Sequence, residues 1–188
     1  MVTQKKNKAA FLDRDGVINK DLHFVSQWKD FSLFNGVIEG LTILQSIGYL
    51  LIIVTNQSGI DRGIFSEHDY NLLTNRYLEL LSRNGVKITE VYYCPHHPLY
   101  SQTPYDKCFC RKPKPGMILS AANKYNIDLN ESILIGDRMS DLEAAQNAGI
   151  EKRFLIVDNK NKYDYNDILI SKSFSSLLEC SRYIDTCS

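Results

Sequence analysis

Acidic side chains recur at two points of this chain where acids are costly. In Phe11-Leu12-Asp13-Arg14-Asp15-Gly16, two carboxylates two residues apart end an apolar run, followed by a glycine free to turn where other residues resist. Asp and Gly are also common in solvated turns, so this segment alone reads equally as a turn or as a site. Gly136-Asp137-Arg138-Met139-Ser140-Asp141 brings a second pair after another apolar run. Together the acids have the character of a Mg²⁺ site, in which a few carboxylates hold a hard cation and a substrate phosphate completes its shell.

Sulfur and imidazole gather at a third place. Cys94-Pro95-His96-His97-Pro98 is followed by Cys108-Phe109-Cys110, so three thiols and an imidazole fall within residues 94–110. A Cys₃His set is a usual tetrahedral zinc shell, and four protein ligands leave no place for a catalytic water, so the site is expected to be structural. His97 competes with His96 for the fourth position. Free cysteines often serve as buried apolar filler, but the polar stretch between these ones cannot bury itself, and metal binding would supply its folding free energy. Directly after the loop come Arg111, Lys112 and Lys114; most lysines are solvated, and Lys114 is read as surface charge. Thr55-Asn56-Gln57-Ser58-Gly59 offers a hydroxyl and backbone N–H groups that suit either a phosphate cradle or a polar turn.

These residues need elements to hold them. Apolar runs at 9–12, 49–54, 91–93, 133–135 and 154–157 read as buried strands. Helical spacing of apolar residues marks 36–47, 67–82, 116–125 and 141–148. Strand and helix alternate, which predicts an α/β, Rossmann-like three-layer fold with a mostly parallel central sheet. In such folds the ligand site lies beyond the carboxyl ends of the strands, and Asp13, Thr55, Cys94 and Asp137 each follow an apolar run closely. The tail reads as a strand near 168–171 and a helix near 174–183. No stretch is long enough for a separate cap domain, so one domain over residues 1–188 is expected, with loops shaping the pocket.

Composition narrows the partners. Lys plus Arg number 22 and Asp plus Glu 22, so no net field would draw the chain to nucleic acid or to an anionic membrane; a small-molecule substrate and a monomer are expected. No apolar run approaches the roughly 20 residues that span a bilayer, and no secretory signal pattern follows the basic start. Five cysteines, three of them crowded together, suit a reducing cytoplasm better than a disulfide framework. Cys180 and Cys187 are read as free thiols.

The four segments, taken in chain order, resemble the motifs of the haloacid dehalogenase superfamily of phosphatases. The resemblance implies that Asp13 is the nucleophile that forms an aspartyl phosphate and that Asp15 is the acid/base, its pKa raised by neighbouring negative charge and partial burial. It assigns Thr55 and Lys112 to the second and third motifs and makes Asp13, Asp137 and the backbone carbonyl of Asp15 the Mg²⁺ ligands. Asp141 would orient waters or cap a helix. Cys-x-His followed by Cys-x-Cys resembles the zinc loop of histidinol-phosphate phosphatases and D-glycero-D-manno-heptose 1,7-bisphosphate 7-phosphatases, which favours His96 as the ligand beside Cys94, Cys108 and Cys110. Cys-Pro-His-His-Pro, Thr-Asn-Gln-Ser-Gly-Ile, Arg-Lys-Pro-x-Pro-Gly-Met and the longer zinc loop look like the heptose family.

That family resemblance implies removal of the 7-phosphate in nucleotide-activated heptose biosynthesis for lipopolysaccharide or other surface polysaccharide. It places Asp21, Asn56, Gln57, Ser58, Arg62 and Arg111 against the substrate. The segment Asp21-Leu22-His23-Phe24-Val25 departs from the family's Asp-His-Gly-Tyr-Val. Histidinol phosphate is the alternative substrate. A polynucleotide 3′-phosphatase is disfavoured by the balanced charge, and an inactive binding module by the filled motif positions.

Overall fold

The computed structural model describes residues 5–101, 108–157 and 169–187. Six strands form one sheet: β1 (Lys8–Leu12), β2 (Tyr49–Asn56), β3 (Ile88–Cys94), β4 (Ile133–Gly136), β5 (Lys152–Ile156) and β6 (Lys172–Phe174). Among the described residues five α-helices accompany them: α1 (Val37–Ser46), α2 (Glu67–Arg83), α3 (Gly116–Lys124), α4 (Met139–Ala148) and α5 (Leu177–Thr186). The strand order is β3-β2-β1-β4-β5-β6, and every pairing is parallel.

Both faces of the sheet are apolar because both are covered. Ala10, Leu12, Leu51, Ile53, Ile133 and Ile135 pack with residues of α1, α2 and α5. Their strand neighbours Ala9, Phe11, Ile52, Val54 and Leu134 pack on the other side with α3 and α4. This is the three-layer α/β arrangement that the alternation of runs predicts. Among the described residues, no helix is long and apolar enough to cross a membrane.

The helix starts are locally encoded. Ser66 accepts a hydrogen bond from the backbone N–H of Asp69, whose carboxylate accepts in return from the Ser66 N–H, a reciprocal cap for α2. Asp141 supplies one half of such a cap at α4, its carboxylate accepting from the N–H groups of Asp137 and Arg138 at 3.2 and 3.0 Å.

The tail departs from the expectation. Residues 169–171 are turn and coil, the strand lies at Lys172–Phe174, and the helix begins only at Leu177, where the Ser176 hydroxyl caps it. Phe174 is therefore a strand residue packed against the core rather than the first residue of a helix. An apolar residue beside a helix start is ambiguous by periodicity alone. The remaining position of the expected strand, Ile168, lies outside the described residues.

Topology locates the site. From β1 the chain steps outward to β2 and β3, then crosses back over β1 to place β4 on its other side, so the order reverses between β1 and β4. The crevice at their carboxyl ends is where open α/β sheets bind ligands. Asp13 follows β1 and Asp137 follows β4, at the two lips of this crevice.

Candidate active site

Parallel pairing sets Leu12 beside Ile53 on one side and Ile135 on the other. One residue later, the Asp13 N–H donates to the Ile135 carbonyl at 3.0 Å, which fixes the backbone from which the carboxylate projects. Lys112 reaches into the same place. Its ammonium lies 3.0 Å from Asp13 Oδ1 and 2.7 Å from Asp141 Oδ1, and donates to the Val54 carbonyl at 2.7 Å. Asp13, Asp137 and Asp141 each present an oxygen to a common point, all within 4.8 Å of one another. Gly16 makes that approach possible: it has φ +88°, and a Cβ there would lie 2.3 Å from Asp137 Oδ2.

Three carboxylates crowd together here with Lys112 on two of them and Arg138 at the edge of the third, and their protonation reflects it. Burial, reinforced by Asp141 and Asp15 and opposed by Lys112, pushes Asp13 up to about 6. Burial and then the charges of Asp13 and Asp141 push Asp137 up to about 8. For Lys112, burial acts to lower the value, but Asp13 and Asp141 outweigh it and hold the ammonium above the usual lysine range. The surplus of negative charge is what a divalent cation would neutralise, so this donor set fits a hard, oxygen-liganded metal.

Asp15 has surroundings different from those expected. Donors meet it: Arg14 Nη2 at 2.8 and 2.7 Å from its two oxygens, Asn19 Nδ2 at 2.9 Å from one and Gln57 Nε2 at 2.9 Å from the other. Gln57 also donates to the Thr55 hydroxyl at 2.9 Å, so it ties the first motif to the second from beneath the cleft. Asn56 closes a two-way contact with the main chain of Lys112, accepting from its N–H at 3.1 Å and donating to its carbonyl at 3.2 Å. Asn56 and Gln57 line the cleft, yet these amide contacts are committed to holding Lys112, Thr55 and Asp15.

The thiols and imidazole close on one another. Cys94 is the last residue of β3, paired in register with Asn56. Its Sγ lies 3.6 Å from His96 Nδ1 and 3.9 Å from Cys108 Sγ. His96 Nδ1 is 3.3 Å from both Cys108 and Cys110, which are 3.6 Å apart. Zinc bonds of about 2.0–2.3 Å imply ligand separations of about 3.4–3.8 Å in a tetrahedron. These five separations, 3.3–3.9 Å, lie within about 0.1 Å of that range. The sixth, Cys94 to Cys110, is 2.8 Å; hydrogen bonding between the pair draws the Cys110 thiol down to about 5 and pushes the Cys94 thiol up. His97 turns away from this group, with Nε2 2.6 Å from Arg62 Nη2 and its N–H on Asp61, so His96 is the imidazole of the cluster.

This cluster connects directly to the cleft. Arg111 donates from Nη1 to the carbonyl of His96 at 3.0 Å. Lys114, expected to be surface charge only, donates to the carbonyl of Cys108 at 2.6 Å. Gly116 N–H donates to the Phe109 carbonyl, so closely that a Cβ at 116 would stand 2.2 Å from that oxygen. The described part of the loop is thus pinned to the start of α3.

Above the carboxylates opens a cleft of about 460 Å³ lined by Asp15, Asp21, Ser58, Arg62, Arg111 and Arg138, among others. Arg62 lies over the rings of Phe24 and Tyr100. Arg138, which sequence reasoning passed over, is bonded to Asp21 at 2.8 Å and reaches to 3.7 Å from Asp137. A signal existed, since it sits inside the Gly136 to Asp141 motif, but nothing in one sequence separates it from a solvated arginine. Arg14 was missed likewise, although it stands between the two acids of the first motif, just past a buried strand, where charged residues are rarely buried.

Comparison with known proteins agrees with this geometry. A HAD-hydrolase-like family model matches residues 109–162. The chain is 47% identical over 153 residues to the D-glycero-alpha-D-manno-heptose-1,7-bisphosphate 7-phosphatase of Photorhabdus laumondii, covering 80% of this chain and 83% of that one. It is 42% identical over 177 residues to the D-glycero-beta-D-manno-heptose-1,7-bisphosphate 7-phosphatase of Vibrio cholerae, covering 94% and 95%. Among solved structures, the D,D-heptose 1,7-bisphosphate phosphatase of B. bronchiseptica, complexed with magnesium and phosphate, superposes with a TM-score of 0.82 at 28% identity, covering 96% of this chain and 99% of that one.

Proposed function

The chain belongs to the heptose-1,7-bisphosphate 7-phosphatase family of HAD-like hydrolases, and from that premise we propose that it removes the 7-phosphate of D-glycero-D-manno-heptose 1,7-bisphosphate through an aspartyl phosphate on Asp13. The observation that carries the chemistry is the convergence of Asp13, Asp137 and Asp141 on a common point at the β1/β4 crevice, with Lys112 bonded to Asp13 and Asp141.

Asp13 is the nucleophile. Its carboxylate oxygen attacks phosphorus, the bond from phosphorus to the sugar oxygen breaks, and that oxygen takes a proton from the Asp15 carboxyl group. In the second step a water oxygen attacks the same phosphorus, gives its proton to Asp15, and the bond to Asp13 breaks, releasing phosphate and restoring both acids. Lys112 orients the Asp13 carboxylate and offsets charge that gathers on the phosphoryl oxygens, while Thr55 stands at the motif position for a phosphoryl contact. Asp13, Asp137 and the Asp15 carbonyl would hold Mg²⁺, which when bound supplies neutralisation of carboxylate and phosphoryl charge. Cys94, His96, Cys108 and Cys110 would hold structural Zn²⁺. Arg62, Arg111, Arg138, Asp21 and Ser58 would shape sugar and phosphate selection at the rim, with Asn56 and Gln57 supporting from behind. A small sugar phosphate as substrate, cytoplasmic work on a surface-polysaccharide precursor and a monomeric single-domain enzyme complete the reading.

A substrate panel tests it. Both anomers of the heptose bisphosphate, histidinol phosphate and a 3′-phosphorylated oligonucleotide are compared by phosphate release with Mg²⁺ present. The expected result is a kcat/KM at least about 100-fold higher for one heptose anomer than for the other two compounds; preference for either of those would overturn the substrate assignment.

A pH dependence of stability follows from the carboxylates. Asp13 and Asp137 bind protons more tightly folded, near 6 and 8, than unfolded near 3.8. Between those values the folded state holds the extra protons, so without divalent cation stability falls as pH rises from about 4 to 8. Saturating Mg²⁺ binds the ionised carboxylates and should flatten that slope. Thermal melts across this pH range, with EDTA and with Mg²⁺, check the sign; a metal-free Tm rising with pH throughout would contradict it.

A further inference from the structure

We infer that Arg14 is a positioning residue for Asp15, holding the acid/base carboxylate at the edge of the cleft; this rests on the proposed role of Asp15. Arg14 leaves β1 between the two acids and turns inward, and its side chain is fully buried. One nitrogen, Nη2, meets both oxygens of Asp15 and the Val25 carbonyl at 3.1 Å. The guanidinium stands 5.9 Å from the centre of the Tyr70 ring on α2.

A guanidinium this deep is a costly way to fill space, since an apolar side chain of similar volume often stabilises as well or better. Here the cost is greater still, because Nε and Nη1 have no hydrogen-bond partner among the described residues. What the arginine adds over an apolar residue is a rigid donor aimed at one carboxylate. The pair is also one-sided: the Arg14 side chain is 0% exposed and that of Asp15 20%, and Asp15 lines the cleft. The arginine grips the carboxylate from the protein side and leaves its open side to the substrate. Asn19 and Gln57 complete the grip, but both are neutral amides, and Arg14 is the ionic partner that fixes where the carboxylate stands.

Leaving-group dependence separates this from a merely structural role. A sugar phosphate needs a proton on its departing oxygen, whereas p-nitrophenyl phosphate departs without one, and kcat/KM reports the step in which the leaving group goes. Arg14→Met is expected to lower kcat/KM on the heptose bisphosphate by about 10- to 100-fold and on p-nitrophenyl phosphate by less than about 3-fold, with KM little changed. Arg14→Lys, which keeps the charge and loses the rigid planar guanidinium, should fall between Arg14→Met and the parent. Asp15→Asn is the reference and should show a larger gap of the same kind. Equal losses on both substrates, or no loss on either, in the Arg14 variants overturn the positioning role. Equal losses in Asp15→Asn instead overturn the acid/base reading on which it rests. Should Arg14→Met fail to fold, Arg14→Lys decides: a ratio of losses above about 3 supports the assignment and a ratio of one overturns it.

Discussion

Asp13→Asn is expected to lower phosphate release by at least about four orders of magnitude while leaving a folded protein. The amide is nearly isosteric, and the backbone of residue 13 keeps its bond to the Ile135 carbonyl, so the crevice retains its shape. What disappears is the anionic oxygen that attacks phosphorus. Lys112 would still have Asp141 at 2.7 Å, so its ammonium is not stranded without a counter-charge. The second readout is covalent. Parent enzyme quenched in acid during turnover should carry phosphate at residue 13 by mass spectrometry, and the variant should carry none. Turnover within about tenfold of the parent, or phosphate found on another side chain, would displace Asp13 as the nucleophile.

Loss of the zinc proposed for the Cys₃His cluster is expected to have the second large effect, because the cluster is tied through the main chain to the residues around Lys112. Cys94→Ser removes a fully buried thiol of this cluster from the end of β3. Structural zinc sites bind with about 10–16 kcal/mol, and losing even part of that should lower Tm by on the order of 10 °C in a chain of this size. Activity should fall at least about tenfold as well. The carbonyl of His96 holds Arg111, Lys114 holds the carbonyl of Cys108, and the next residues deliver Lys112 to Asp13. Released from the metal, this segment keeps its Asn56 clamp on Lys112 but loses the support behind Arg111. Metal analysis, thermal melts and phosphate release on the same samples provide the check. Unchanged turnover after verified zinc removal would show that the loop does not govern the cations.

The fold was legible because burial on both faces leaves an unmistakable mark. Residues 9–12 and 133–135 could be read as strands since helices cover both sides of them, and no polar residue interrupts the run. The tail was not legible for the opposite reason. Lys172–Phe174 is a three-residue edge strand, too short for any period to show, and Phe174 fits a helix pattern as well as a strand. Individual roles divide similarly. Asp13, Lys112 and Asp137 stand at motif positions with chemistry of their own. The other contacts of Asn56, Gln57, Lys114 and Arg14 depend on partners 42, 56 or 6 residues away, or on which way one side chain turns.

By itself the sequence determined the alternation of elements, the placing of acids and a hydroxyl after apolar runs, and the Cys₃His ligand set, because each is a matter of residue type and local spacing. Only the tertiary structure decided that Asp141 serves both the α4 cap and Lys112, and that the Asp15 carboxylate is gripped by a buried arginine. Those depend on where the crossover after β3 returns the chain to the sheet. Parallel pairing turns that return into ångström-scale register, which no local pattern encodes.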